Sequence, residues 1–139
     1  MRDEDGSRGC LIDDPPLELL TVRKGRAGIL HVELEGELDL AAAAAFEVEL
    51  LHMVVARRAP TVLDLRKLAF LDLAGLRVLG RTMQAIEREG MTSCCLIADS
   101  PTTELLFAHV EKRRYALPRT TSLEIAIEVV SGEREGARP

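Results

Sequence analysis

Apolar and polar residues alternate most cleanly between Ile29 and Leu38, where Val32 and Leu34 interleave with His31, Glu33 and Glu35. A period of two sends successive side chains to opposite faces, so this run predicts a strand with one packed face and one wet face. Leu17 to Arg23 is similarly β-rich, and the short connection through Lys24, Gly25 and Gly28 predicts a hairpin. The pattern changes after Asp39. Leu40 and five alanines, with Phe46, Leu50 and Met53 as the buried stripe, predict a helix from Leu40 to Arg57, capped by Asp39 and ended by Pro60.

Thr61 to Leu65 (TVLDL) has the continuous apolar character of a buried central strand. Asp72 then caps a second helix, Leu73 to Arg88, in which Leu76, Leu79, Met83 and Ile86 recur at spacings of three and four until Gly90 stops it. Ser93 to Ala98 predicts a third apolar strand. Ser100-Pro101 supplies a capping hydroxyl and a proline at the first helical position, predicting a short helix to His109. A basic connection with Lys112, Arg113, Arg114 and Arg119 follows, and Ala116 to Arg119 is the weakest strand signal. Thr121-Ser122-Leu123-Glu124 reads as a capping box opening a last helix, with Leu123, Ala126, Ile127 and Val130 inward.

This order, an initial hairpin and then alternating helices and strands, predicts an α/β domain: a mixed sheet of hairpin plus parallel strands, packed with about four helices. The folded part is expected over 17–130. Residues 1–16 hold Asp3, Glu4, Asp5, Asp13 and Asp14 and few apolar groups, and 131–139 (SGEREGARP) have similar composition, so both are expected to be mobile tails.

The 139 residues are 47% hydrophobic, enough for one core, and the apolar runs are too short for a membrane span. With no apolar signal core at MRDEDGSRGC, a cytoplasmic protein without membrane insertion is expected. The net charge of −5, one Tyr, three Phe and no Trp argue against direct nucleic-acid binding by charge or base stacking. Three cysteines, two adjacent as Cys94-Cys95, make neither a disulfide framework nor a spaced zinc site and are read as reduced core thiols.

Asp39, Asp72 and Asp99 all follow predicted strands, where ligands gather in alternating α/β folds. Read chemically they are a metal or phosphoryl-transfer set; read structurally each is a cap or turn residue, which is the default for acids at helix starts. No phosphate-binding glycine loop, nucleophile elbow or cysteine-base pair is present, so neither an enzyme nor a cofactor or metal is expected. The connection RKLAFLDLAG (66–75) is unusually apolar for a loop: Leu68, Phe70, Leu71 and Leu73 must tuck under the sheet edge or form a docking surface. Arg77, Arg81 and Arg88 share an outward flank of the following helix.

Gly36-Glu37-Leu38-Asp39 closing a strand, Val62-Leu63-Asp64-Leu65, and Phe70-Leu71-Asp72-Leu73-Ala74-Gly75-Leu76 together resemble the STAS domain of bacterial anti-sigma-factor antagonists, over about 17–130. The resemblance implies a protein-interaction module that docks on an anti-sigma factor with serine-kinase activity, or on another STAS protein. Asp39, Phe70, Asp72, Leu73, Ala74, Gly75 and Leu76 are the implied partner-binding positions, to which the outward flank adds Arg77 and Arg81. Phosphorylatable members read D-S-S-G or D-S-T-G at Asp72 to Gly75, and a serine there takes the phosphate. Here the two intervening residues are Leu73 and Ala74, neither with a hydroxyl, so a constitutive binder or scaffold is expected. Thr82, Thr102 and Thr103 are substitute hydroxyls, read first as solvated or capping groups.

Two other readings compete. STAS-like domains also resemble parts of anion transporters and lipid-trafficking complexes, which would make the chain an accessory subunit. A phosphoacceptor receiver would need a lysine after its fifth strand, where Arg119 stands. The wet-faced hairpin leaves an edge strand available for homo-oligomer pairing.

Overall fold

The computed structural model describes residues 17–24, 28–113 and 117–132. Within them the elements run β1 (Leu17–Lys24), β2 (Leu30–Leu38), α1 (Leu40–Arg57), β3 (Thr61–Leu71), α2 (Leu73–Arg88), β4 (Ser93–Leu96), α3 (Pro101–Arg113), β5 (Arg119–Thr120) and α4 (Leu123–Ser131). The strands form one sheet in the order β1-β2-β3-β4-β5. β1 and β2 are an antiparallel hairpin, and every later pairing is parallel. This is the mixed α/β architecture that the alternating pattern predicts.

The two faces of the sheet are covered by different helices. Leu30, Val32, Leu34, Leu63, Leu65, Cys95 and Ile97 point into one core with Phe46 and Leu50 of α1, Leu76, Leu79, Met83 and Ile86 of α2, and Phe107 and Val110 of α3. The opposite face packs Val62, Cys94 and Leu96 with Ile29 under Ala126 and Val130 of α4. Odd and even positions of β2 therefore separate as their alternation predicts, with His31, Glu33 and Glu35 only half-buried.

Several elements depart from the sequence reading, among them β4, which ends at Leu96 and not at Ala98. β3 continues six residues beyond Leu65, because β2 is long enough to pair with Lys67, Leu68, Phe70 and Leu71 through Glu35, Gly36, Glu37 and Leu38. The segment expected as a loop thus extends β3 alongside β2, which keeps β1 on its other edge as far as Gly36. α3 runs to Arg113 rather than His109, since Val110 continues the buried stripe begun at Phe107, and Lys112 lies on the helix. The last helix starts one residue later than a Thr121–Glu124 box requires: Ser122 is the N-cap, and its hydroxyl accepts from the Ile125 amide at 3.2 Å.

β5 is Arg119–Thr120, shifted from the run expected at Ala116 to Arg119; Ala116, Arg114 and both terminal stretches 1–16 and 133–139 lie outside the described residues. Arg119 secures this short strand to α3, donating to Glu104 at 3.0 and 3.1 Å and to Glu111 at 2.7 Å while its guanidinium stacks over Phe107 at 5.0 Å. Such a planar fork over an aromatic face is geometry that lysine cannot reproduce.

Candidate functional site

The arm formed by the carboxyl ends of β2 and β3, flanked by β1 as far as Gly36, leads directly into the start of α2. β3 carries one extra residue against β2 between Glu33 and Glu35, and another between Gly36 and Glu37. Bulges of this kind bend a strand pair and increase its local twist. The first bulge is held by Asp64, which is 1% exposed. Its carboxylate accepts from the Arg66 amide at 3.1 Å, from the Arg66 guanidinium at 3.0 and 2.9 Å, and pairs with His31 Nε2 at 2.8 Å. Burial by itself would raise the Asp64 carboxyl, but the hydrogen bonds from His31 and Arg66 and the nearby guanidinium charge hold it well below the usual carboxylate range.

Asp72 closes the arm and opens α2. Its amide donates to the Leu38 carbonyl at 3.3 Å, its carbonyl accepts from Leu76 at 2.9 Å, and its carboxylate accepts from the Gly75 amide at 2.9 Å. This is the N-cap that the sequence predicts, and it satisfies an amide otherwise left over in the first turn. Gly75 packs directly on β2: a Cβ there would overlap the Leu38 carbonyl oxygen and lie 2.8 Å from Leu38 Cγ. The start of α2 can sit this close to the strand only because residue 75 has no side chain.

The expected docking residues divide by position. Phe70 is 49% exposed on the arm, an unusual placement for a large aromatic, while Leu68, Leu71, Leu73 and Ala74 are half-buried against the main core. Leu76 is fully buried and supports this surface from beneath. Arg77 is exposed. Arg81 donates two bonds to Glu47 of α1, at 2.7 and 2.9 Å, so it fastens α2 to α1 as well as lining the outward flank. That hydrogen bond and the Arg81 charge lower the Glu47 carboxyl.

Asp39 precedes α1, where its carbonyl accepts from the Ala43 amide at 2.9 Å. Asp39, Asp72 and Asp99 do not converge on a common cation position among the described residues. The one group there with three ligand atoms within 4.8 Å of one another is His31, Glu33 and Asp64. Of the substitute hydroxyls, Thr82 is fully buried and donates to the Val78 carbonyl at 2.9 Å, whereas Thr102 is exposed. Cys94 and Cys95 are both buried and free; burial pushes the Cys94 thiol up to about 11 and raises Cys95 further.

Residues 21–115, well over half of the chain, match the family model of the STAS domain. The chain belongs to the STAS domain family. No curated protein matches it significantly. Among solved structures, this STAS domain is similar to an anti-sigma factor antagonist from Mycobacterium paratuberculosis, with a TM-score of 0.63 and 24% identity over 81% of this chain and 92% of that one. It is also similar to the anti-sigma factor antagonist SpoIIAA in its unphosphorylated form (TM-score 0.58, 19% identity, 81% and 98% of the two chains). The Bacillus cell-fate determinant SpoIIAA in its phosphorylated form gives a TM-score of 0.51 at 17% identity, covering 78% and 96% of the two chains. These likenesses establish a shared fold. No helix among the described residues is long and apolar enough to cross a membrane.

Proposed function

We propose that this STAS domain is a protein-interaction regulator of the anti-sigma-factor-antagonist type that binds its partner without a phosphate switch. The observation that carries this reading is the first turn of α2. Asp72 caps it and Gly75 fits it to Leu38, yet Leu73 and Ala74 between them offer no hydroxyl. The framework that presents the loop is kept while the acceptor chemistry is gone.

The physical consequence follows from what a phosphate would do there. A dianion on a docking surface abolishes apolar contacts by desolvation and repels acidic groups of a partner. With half-buried Leu73 and Ala74 beside exposed Phe70, the surface stays apolar under all kinase conditions. The partner in this reading is an anti-sigma factor with serine-kinase activity, or another STAS protein, recognised through the arm, the start of α2 and the Arg77 and Arg81 flank.

The test is binding of the purified chain to such a kinase with and without ATP and magnesium, alongside intact mass. We expect equal affinity in both conditions and an unchanged mass. Stoichiometric phosphate, or complex loss on adding ATP, refutes constitutive binding; failure to bind any anti-sigma kinase or STAS protein refutes the class of partner.

A further inference from the structure

A second cluster lies on the sheet face that carries α4, away from the start of α2. α4 packs over β3, β4 and β5, and its apolar residues meet Val62, Cys94 and Leu96. Along the same face toward β2, the side chains change from apolar to chelating. His31 and Glu33 are two apart on β2 and so share this face, and Asp64 stands opposite Glu33 in the parallel register. One imidazole nitrogen and two carboxylate oxygens thereby come within 4.8 Å of one another, with His31 Nε2 and Asp64 Oδ2 only 2.8 Å apart.

We propose that His31, Glu33 and Asp64 form a binding site for a divalent transition-metal ion of the zinc class. Imidazole with carboxylate oxygen is a ligand set suited to such borderline ions. Ligand bonds of about 2.0–2.2 Å put neighbouring donor atoms roughly 3–3.5 Å apart, so His31 and Asp64 are already near that spacing and a Glu33 oxygen lies within 4.8 Å of both. His31 and Glu33 are 19% and 13% exposed, which leaves an entry path while Asp64 is buried beneath them.

Two carboxylates with a neutral imidazole carry two negative charges, and in the metal-free protein those are met by Arg66 on Asp64 at 2.9 Å and by Lys67 near Glu33 at 3.6 Å. Both cations reach solvent, at 43% and 55% exposure, so either can swing into water when a dication takes its place. The Arg66 guanidinium would release both Asp64 oxygens while its amide bond to Oδ1 stays, and the proton by which His31 Nε2 now bonds Oδ2 would move to Nδ1 or leave to water. Metal and guanidinium are thus alternatives at this carboxylate.

Zinc chloride titrated into the full, untagged chain by calorimetry tests the site, with cobalt absorption as a second readout. The expected result is one ion per chain, weakened about tenfold or more by His31→Gln and by Glu33→Gln, and left within about twofold by the double change His52→Gln and His109→Gln at the two other, exposed histidines. Glu33→Gln keeps the test valid if His31→Gln disturbs folding. Arg66→Met, which removes the competing cation, should tighten binding several-fold. Absence of one-to-one binding, binding that survives both ligand changes, or unchanged or weaker binding in Arg66→Met overturns the proposal.

Discussion

The Leu38 carbonyl and Gly75 are packed so closely that residue 75 cannot carry a side chain: a Cβ would overlap that oxygen and lie 2.8 Å from Leu38 Cγ. The obstacle is backbone on an interior strand, which cannot rotate aside. Gly75→Ala should therefore destabilise the domain by about 1–3 kcal/mol through overpacking. This opposes the gain of up to about 1 kcal/mol that alanine has over glycine in a helix, so the sign is informative. Urea unfolding followed by circular dichroism measures it, and a more stable variant would contradict the close approach.

Arg81 and Glu47 join α2 to α1 by a two-bond fork, but with half of Arg81 exposed the pair is screened by water. A double-mutant cycle with Arg81→Ala and Glu47→Ala should give a coupling of about 0.2–1 kcal/mol. Arg77→Ala, on an exposed residue of the same helix, should change stability by less than about 0.5 kcal/mol. If partner affinity falls in Arg77→Ala and Arg81→Ala alike, the flank contributes to docking independently of the helix pair.

The helices were legible because their signals are local. Leu76, Leu79, Met83 and Ile86 fix one face of α2 by spacing, Asp72 caps it, and all four are buried as that spacing requires. The second half of β3 was not legible, since Arg66 to Leu71 becomes strand only through pairing with β2, some thirty positions earlier in the chain. The same holds for His31, Glu33 and Asp64. Alternation placed His31 and Glu33 on the wet face, but only inter-strand register brings Asp64 beside them. The apolar run at 66–75 did contain the warning: Leu68, Leu71 and Leu73 are half-buried, as a solvated loop would not allow.

Asp64 makes stability sensitive to acid. Its carboxyl is held below the usual range in the folded protein, so the unfolded chain takes up the proton first as pH falls. The stabilisation is fully present above the unfolded value of about 4 and is lost progressively below it. Asp64→Asn should flatten the decline of Tm between about pH 5 and pH 2 while lowering Tm at neutral pH. Thermal melts at a series of pH values check this; an Asn variant with the wild-type acid slope would remove Asp64 as the cause.

Cys94 and Cys95 are shielded twice, by burial and by raised thiol pKa values, with Cys95 Sγ set 3.7 Å from Met83 Sδ in the core. The thiolate is the reactive form, so neither should react with a disulfide reagent at pH 8 while the protein is folded. In a Cys10→Ser variant, two thiols should appear only on adding denaturant. Rapid native labelling of either would show that β4 opens far more readily than its packing implies.

Leu73 and Ala74 open α2 where phosphorylatable STAS domains carry the acceptor serine. If the site lacks only its acceptor, then restoring a hydroxyl should restore the switch. Leu73→Ser and Ala74→Ser are the two candidates, and both positions are half-buried beside the Asp72 cap, so neither change opens a large cavity in the interior. With an anti-sigma serine kinase that binds the wild-type chain, one of the two variants should gain a single phosphate by intact mass and lose affinity at least about tenfold on modification. The helix N-terminus tolerates the added charge through its free amides, so the loss should lie in binding and not in Tm. Thr82, buried and bonded to the Val78 carbonyl, should remain unmodified in every case. If both serine variants bind the kinase and neither is phosphorylated, the loop has diverged in more than its acceptor residue, and the domain serves as a scaffold that the kinase cannot address.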